Sequence, residues 1–435
     1  MQINSTLNKQ IFSLALPNII TNITIPLLGM VDTAIVGHIS YEGTVTDYIG
    51  AVAVGSMIFN FLYWGFGFLR MGTSGFTAQA YGSKDDVEQI DILTRALTIG
   101  LSIAFLILCL QKPIALLATN LIEDNNSVMS LAIKYFYIRI WAAPAVLGMY
   151  ALKGWFIGMQ DSKTPMWTAI LINIVNILCD IIFVMLLKMK IEGVAIATVI
   201  AQYSGLLLIT TVFLTKYKKR YSITIRRALN GEKLKMFFKV NGDIFLRTIC
   251  IIVVTTYFTI ASSTMPYPTL AVNTLIMQLF SLFSYFMDGF AYACESLCGR
   301  YYGAKDTKKL KDVIVRILYF GTFLALLCAV VYGIWGENII AMLTDHKDVI
   351  LASKEYKLWM ILIPITGYIA FLYDGILIGM TQTIIMRNAI FIATIAFFLA
   401  YFLGGRTSDA LWLGFILYLL SRSVLMMQMS WKKIF

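Results

Sequence analysis

Two carboxylates, Asp32 and Asp180, interrupt long apolar runs, and each has amide or hydroxyl neighbours on its own helical face. At 100° per residue, Asn18, Asn22, Pro26, Gly29, Asp32 and Thr33 share an arc of about 120° on the first run. On the fifth run Asn173, Asn176 and Asp180 face one way, and on the sixth Thr198, Gln202 and Gly205 share a side. A carboxylate placed in lipid costs about 2.5–3.5 kcal/mol on insertion scales, so each is a functional candidate. Two of them in one wet pocket cannot easily ionise together, and with amide and hydroxyl oxygens beside them they can hold a proton or a small hard cation. The alternative chemistry is structural, with each acid capping an interhelical hydrogen-bond network. Pro17 and Pro26 free backbone carbonyls and permit a kink or hinge in the first run.

A second polar stripe comprises Ser281, Ser284, Asp288, Tyr292, Glu295 and Gly299, and Asp374 stands in line with Gly367 and Thr381. Asn22, Asn173, Gln202, Asp288, Tyr292 and Asp374 are candidates to line a substrate cavity. For Asp288, Glu295 and Asp374 a structural ion pair is an equal alternative. Arg70, Arg139 and Arg247 also fall within or near apolar runs, and charge balance has them pair with some of these acids. Asp243 and Arg247 have the i,i+4 spacing of a helical ion pair. The abundant Met and aromatic residues, such as Trp64, Phe66, Tyr285, Phe286 and Met287, suit either a cavity for varied apolar shapes or ordinary lipid-facing surface.

The elements that position these residues follow from composition. Of 435 residues 59% are hydrophobic and 14% charged, too few polar groups to cover a soluble surface, so the bilayer is the solvent for much of the chain. Runs long enough to span it cover about 11–36, 49–72, 92–118, 131–155, 166–187, 192–215, 241–263, 268–298, 313–335, 356–380, 385–403 and 410–429. Twelve transmembrane helices are therefore expected, in an all-α integral membrane protein. The first run exceeds signal-peptide length and is expected to stay as a helix. Lys and Arg concentrate at 216–239 and 300–316, while the loops around 38–48 and 262–267 have none. That places both termini in the cytoplasm, in a multi-pass cell (inner) membrane protein.

The chain repeats itself at a fixed offset of 221 residues. Tyr81, Gly82, Lys84 and Asp85 recur as Tyr302, Gly303, Lys305 and Asp306, and Arg95 and Gly100 as Arg316 and Gly321. Tyr135 recurs as Tyr356, and Gly154, Ile157, Gly158 and Met159 recur as Gly375, Ile378, Gly379 and Met380. An offset of six helices preserves direction, so two parallel six-helix lobes are expected around a midplane cavity. The division is 1–215 for the N-lobe, 216–240 for a basic cytoplasmic linker and 241–435 for the C-lobe. The net charge of +11 suits an anionic membrane face better than nucleic acid, which is not an expected partner. Cys109, Cys179, Cys250, Cys294, Cys298 and Cys328 lie in apolar runs far in sequence from His38 and His346, which disfavours a zinc or disulfide framework. No P-loop, Gly-x-Ser-x-Gly or His-Glu-x-x-His pattern is present, so neither ATP hydrolysis nor soluble-type catalysis is expected, and the chain is not expected to be an enzyme.

Several segments resemble the multidrug and toxic compound extrusion (MATE) transporters, in the branch named for DNA-damage-inducible protein F. They are Leu16-Pro17-Asn18, the stretch from Pro26 through Asp32 to His38, Gly67 to Ala80, Asn241 to Arg247, Asp288 to Ala293, and Tyr373-Asp374-Gly375. The resemblance implies the MATE fold and alternating access driven by an inward proton or sodium gradient. Asp32 would be the protonation site, with Asn176, Asp180 and Thr198 beside it, also the set that would hold Na+, and Pro17 the bend. No cofactor beyond H+ or Na+ is implied. A tyrosine that some relatives carry four residues before the aspartate is Leu28 here. Another branch pairs a seventh-helix glutamate with a tenth-helix aspartate; Asp374 matches the latter, and the seventh run has no such glutamate. The expected function is a secondary antiporter exporting small amphiphilic or cationic compounds (multidrug efflux), a monomer whose partners are its substrates and membrane lipids. A flippase for lipid-linked or glycan substrates is the alternative, with a membrane-embedded enzyme or a channel further off.

Overall fold

The structure is a computed structural model describing residues 5–37, 45–121, 126–217 and 224–434; at 5, 25, 27–30, 32–37, 45–46, 120–121, 126 and 432–434 it describes the backbone alone. Long helices dominate it. They are α1 (Ser5–Gly37), α2 (Asp47–Gly82), α3 (Asp86–Cys109), α4 (Ser127–Gly158), α5 (Lys163–Leu186) and α6 (Ile191–Lys216). The second half contributes α7 (Gly231–Ser263), α8 (Tyr267–Gly303), α9 (Thr307–Leu343), α10 (Lys357–Gly379), α11 (Thr383–Leu403) and α12 (Ser408–Trp431). Among the described residues eleven of these, α2 to α12, are long and apolar enough to cross a membrane, and α1 adds a 33-residue helix. Large side chains such as Phe105, Leu207 and Phe323 stay 66%, 71% and 69% exposed, an outer surface suited to acyl chains rather than water.

The 221-residue repeat has a structural cause at several of its identities. Lys84 and Lys305 both adopt left-handed backbone, with φ of 58° and 56°. The next residue, Asp85 or Asp306, then caps a helix, its carboxylate accepting from the backbone N–H of Glu88 or Lys309. Gln160 and Thr381 form a second matched pair, with φ of 66° and 54°. The repeated glycines let helices touch. A methyl added to Gly154 would lie 2.3 Å from the Arg70 carbonyl oxygen, and one on Gly375 would lie 2.1 Å from that of Ala291. Positions 70 and 291 are themselves 221 apart, so α2 meets α4 as α8 meets α10. Gly375→Ala must push α8 and α10 apart, and we expect it to destabilise the protein by about 1–3 kcal/mol, read as a lower melting temperature in detergent.

The helices form two compact units. One holds α1 up to Ile19, Gly82–Lys84 and the chain from Phe237 onward; the other holds Ile20–Tyr81 and Asp85–Met236. The boundary therefore cuts α1 just past Pro17 and α7 in its second turn. Within the first unit Phe258, Trp412 and Phe415 centre an aromatic core; within the second, Trp155 packs edge-on against Phe156, Phe213 and Tyr217.

The repeated arginines hold helix entries. Arg95 Nε donates to the Ala228 carbonyl at 2.8 Å, gripping the segment that leads into α7. Its counterpart Arg316 donates to Asn8 Oδ1 at 2.8 Å, gripping the start of α1. The α7 lead-in is further tied to α3 by Arg227, whose Nε and Nη2 reach the buried Asp91 carboxylate at 2.7 and 2.9 Å, and by Lys233 on Glu88. Arg227→Ala strands that carboxylate. Because Arg227 is 37% exposed, solvent screens the pair and the expected loss is modest, seen as slightly earlier thermal unfolding.

Candidate functional site

The α5–α6 pair brings the sequence-selected polar residues to one level. A methyl on Gly205 would lie 2.5 Å from Ile172, and one on Gly193 would lie 3.3 Å from Val184. Both contacts specify the same antiparallel register, which sets Asp180 within one residue of Thr198 and Asn176 within one residue of Gln202. Asp180 and Asn176 are 0% exposed and Thr198 2%, while Gln202 is half-buried. Neither amide atom of Asn176 has a hydrogen-bond partner among the described residues. The Thr198 hydroxyl donates to the Val194 carbonyl at 3.1 Å, leaving its oxygen lone pairs to accept.

Helix α1 joins this group through Asn173, whose Nδ2 donates to the Thr24 carbonyl at 3.1 Å. Beyond that bond, Asp32 and Asp180 follow by eight and seven residues on two odd-numbered helices that run the same way. Their backbones thus rise by about 12 and about 10.5 Å from a shared point and reach nearly the same depth. The Asp32 side chain lies outside the described residues. Asn22 is buried on α1, with Pro17 buried and Pro26 half-buried on either side of it.

One feature of α5 has no sequence signal. Directly after Asp180 the helix widens into a π-turn, Ile181–Leu186. Such turns recur at functional sites because they shift helical register locally. Among the described residues no three His, Cys, Asp or Glu side chains cluster as a metal site. The oxygen donors at hand are a carboxylate, an amide and a hydroxyl, a set that can take a proton or a weakly held monovalent cation.

The C-terminal acids sit differently. Asp374, 5% exposed on α10, accepts through Oδ2 from Arg247 Nη2 on α7 and, at 2.7 Å, from Arg422 Nη2 on α12. Arg422 also lies 5.3 Å over the Tyr418 ring and is close enough to Asp288 to interact electrostatically. A cation reaching that oxygen must displace a guanidinium. Asp243 does not pair with Arg247 as their spacing suggested. Its oxygens accept from Arg387 Nη1 at 2.7 Å and Thr383 Oγ1 at 2.9 Å on α11, because the helix turns the two residues toward different neighbours. Arg387 and Arg422 were missed from sequence, although each is visible as an arginine inside an apolar run. Asp288 and Tyr292 are half-buried one turn apart on α8, and Glu295 is buried on the same helix. Arg139 was expected to meet an acid, but its contacts are neutral: Ser56 Oγ at 3.0 Å, Tyr135 OH at 2.7 Å, and the faces of Phe59 and Tyr135.

Comparison with known proteins bears on this arrangement. A family model described as MatE matches residues 17–182 and 244–402. The chain is 36% identical to DNA damage-inducible protein F of Escherichia coli strain K12, over 96% of this chain and 90% of that one. It is 22% identical to the probable multidrug resistance protein NorM of Thermotoga maritima, over 80% and 75% of the two chains. Among solved structures, a crystal structure of MATE in the bent conformation superposes with a TM-score of 0.84 at 20% identity, covering 98% of this chain and 95% of the other.

Proposed function

Because the chain belongs to the MatE family of multidrug and toxic compound extrusion transporters, we propose that it is a secondary active antiporter. It exports small amphiphilic or cationic compounds by alternating access, driven by an inward proton gradient, with sodium as the alternative ion. Its place is the cell (inner) membrane, with both termini in the cytoplasm on the side of the Lys- and Arg-rich segments.

The observation that carries this reading is Asp180, with no exposed surface, beside an Asn176 amide that has no bonding partner among the described residues. An amide left unsatisfied beside a buried carboxylate in an apolar lobe costs stability and persists where it serves a transient occupant. Asp180, Asn176 and Thr198, with Asp32 at the same depth, supply the oxygens for a proton or ion that leaves when the substrate arrives. The C-terminal carboxylate is a poor rival: Oδ1 of Asp374 has no hydrogen-bond partner among the described residues, but the two guanidiniums on Oδ2 already balance the charge and would repel a cation. Proton coupling is tested in proteoliposomes with an organic cation dye. An imposed proton gradient should drive dye accumulation with or without sodium, and adding the dye to purified protein in weak buffer should release protons. Accumulation indifferent to both gradients refutes the antiporter reading.

A further inference from the structure

Arg139 is a permanent cation placed twelve residues into α4, between Ile138 and Ile140. Arg95, Arg247, Arg387 and Arg422 each meet a carboxylate. Arg139 does not. Its Nη1 donates to Ser56 Oγ and Tyr135 OH, and the rings of Phe59 and Tyr135 lie 4.9 and 5.4 Å from the guanidinium carbon. Its Nε and Nη2 groups have no protein partner among the described residues.

One turn along α2 from Phe59, the Tyr63 hydroxyl is buried with no hydrogen-bond partner among the described residues. It is near enough to Arg139 to feel its charge. A guanidinium with unused N–H groups and a phenol with an unused O–H lack the same thing, a negatively charged acceptor. Leaving a full positive charge with only neutral partners in an apolar lobe is costly, and an anion removes that cost.

We propose that Arg139 and Tyr63 form a subsite for the anionic head of an amphiphilic transported molecule, a carboxylate, sulfonate or phosphate ester. Depth selects a transported molecule over a bilayer lipid: Arg139 lies about 18 Å of helix rise from Ser127, where α4 begins, further in than an interfacial phosphate reaches. The inference rests on the transporter reading only for calling the occupant a substrate. The binding chemistry stands apart from which ion drives transport.

The test uses two dyes with one xanthene skeleton, carboxyfluorescein as the anion and rhodamine 123 as the cation. Binding is followed by fluorescence polarisation to the purified full-length protein in neutral-lipid nanodiscs. Arg139→Gln should weaken the anionic dye about tenfold or more and change the cationic dye by less than about twofold. Tyr63→Phe, which keeps the guanidinium and its packing, should weaken the anionic dye alone by about threefold. Equal losses for both dyes, no loss for either, or no binding of the anionic dye to the unmodified protein would overturn the proposal and leave Arg139 as a strut between α2 and α4. Repeating the titration with phosphatidylglycerol nanodiscs separates the two anion sources. Dye affinity independent of lipid charge supports a transported anion. Loss of dye binding, with a lipid retained in native mass spectrometry unless Arg139 is replaced, assigns the site to lipid and overturns it. Because binding needs no gradient, failure of proton coupling would leave this result intact, and the reverse also holds.

Discussion

Asp180→Asn should reduce gradient-driven transport by about 5- to 150-fold, the range of a typical coupling free energy, while downhill exchange of substrate continues. Asparagine has nearly the same shape, so the packing around a residue with 0% exposure is preserved. What it loses is the ability to take up a proton or to balance the charge of an ion. The measurement compares uphill accumulation with counterflow in the same proteoliposomes. Asp32→Asn is expected to give the same loss, and the double variant should be no worse than either single one, because residues acting as one unit are not additive. Asp180→Asn transporting uphill at the unmodified rate would mean that the coupling group lies elsewhere. The π-turn at Ile181–Leu186 gives this site a mechanical element next to the carboxylate, one in which a change of charge can be answered by a change of helical register.

Asp374→Ala should be among the most destabilising single substitutions in the chain, costing about 3–5 kcal/mol. The carboxylate is the shared acceptor of Arg247 and Arg422, whose side chains are only 9% and 5% exposed. Removing it leaves two cations facing each other in an apolar core, with the Asp288 charge as partial relief. A drop in melting temperature and in the yield of monodisperse protein would show this. Replacing all three members together, Arg247→Met, Asp374→Leu and Arg422→Met, should recover most of the stability, since well-packed apolar groups substitute for buried ion networks at little cost. If Asp374→Ala melts like the unmodified protein, the triad carries no structural role. Asp374→Asn should leave the sodium dependence of transport unchanged, because the two guanidiniums on Oδ2 neutralise the carboxylate and repel a cation even from its unpartnered Oδ1.

Much of the fold was legible because its signals are local. Twenty-residue apolar runs have one stable solution in a bilayer, a helix with its backbone bonded internally. The Lys84-Asp85 and Lys305-Asp306 turns are also local, a left-handed residue followed by a capping carboxylate, and they recur intact in the structure. Less legible were the helix interruptions. The run expected over 92–118 breaks at Leu110, where a separate helix, Gln111–Leu121, begins, and no residue type near Asp180 announced the π-turn.

The candidate site divides along the same line. That Asp32, Asn176, Asp180 and Thr198 are polar residues in apolar helices is a property of the chain, written in residue type and helical period. Which of them meet is not, because a cross-helix contact depends on the rotation and register of two helices, set by side chains such as Ile172 against Gly205. The arginines make the point most clearly. Sequence spacing joined Asp243 to Arg247, but packing turned one toward α11 and the other toward α10 and α12, and it left Arg139 among hydroxyls and rings. The sequence alone determined where charges enter the membrane, since hydrophobicity and capping act within a few residues. Only the tertiary structure decided which charges neutralise one another, since that depends on distances between helices that no local spacing encodes.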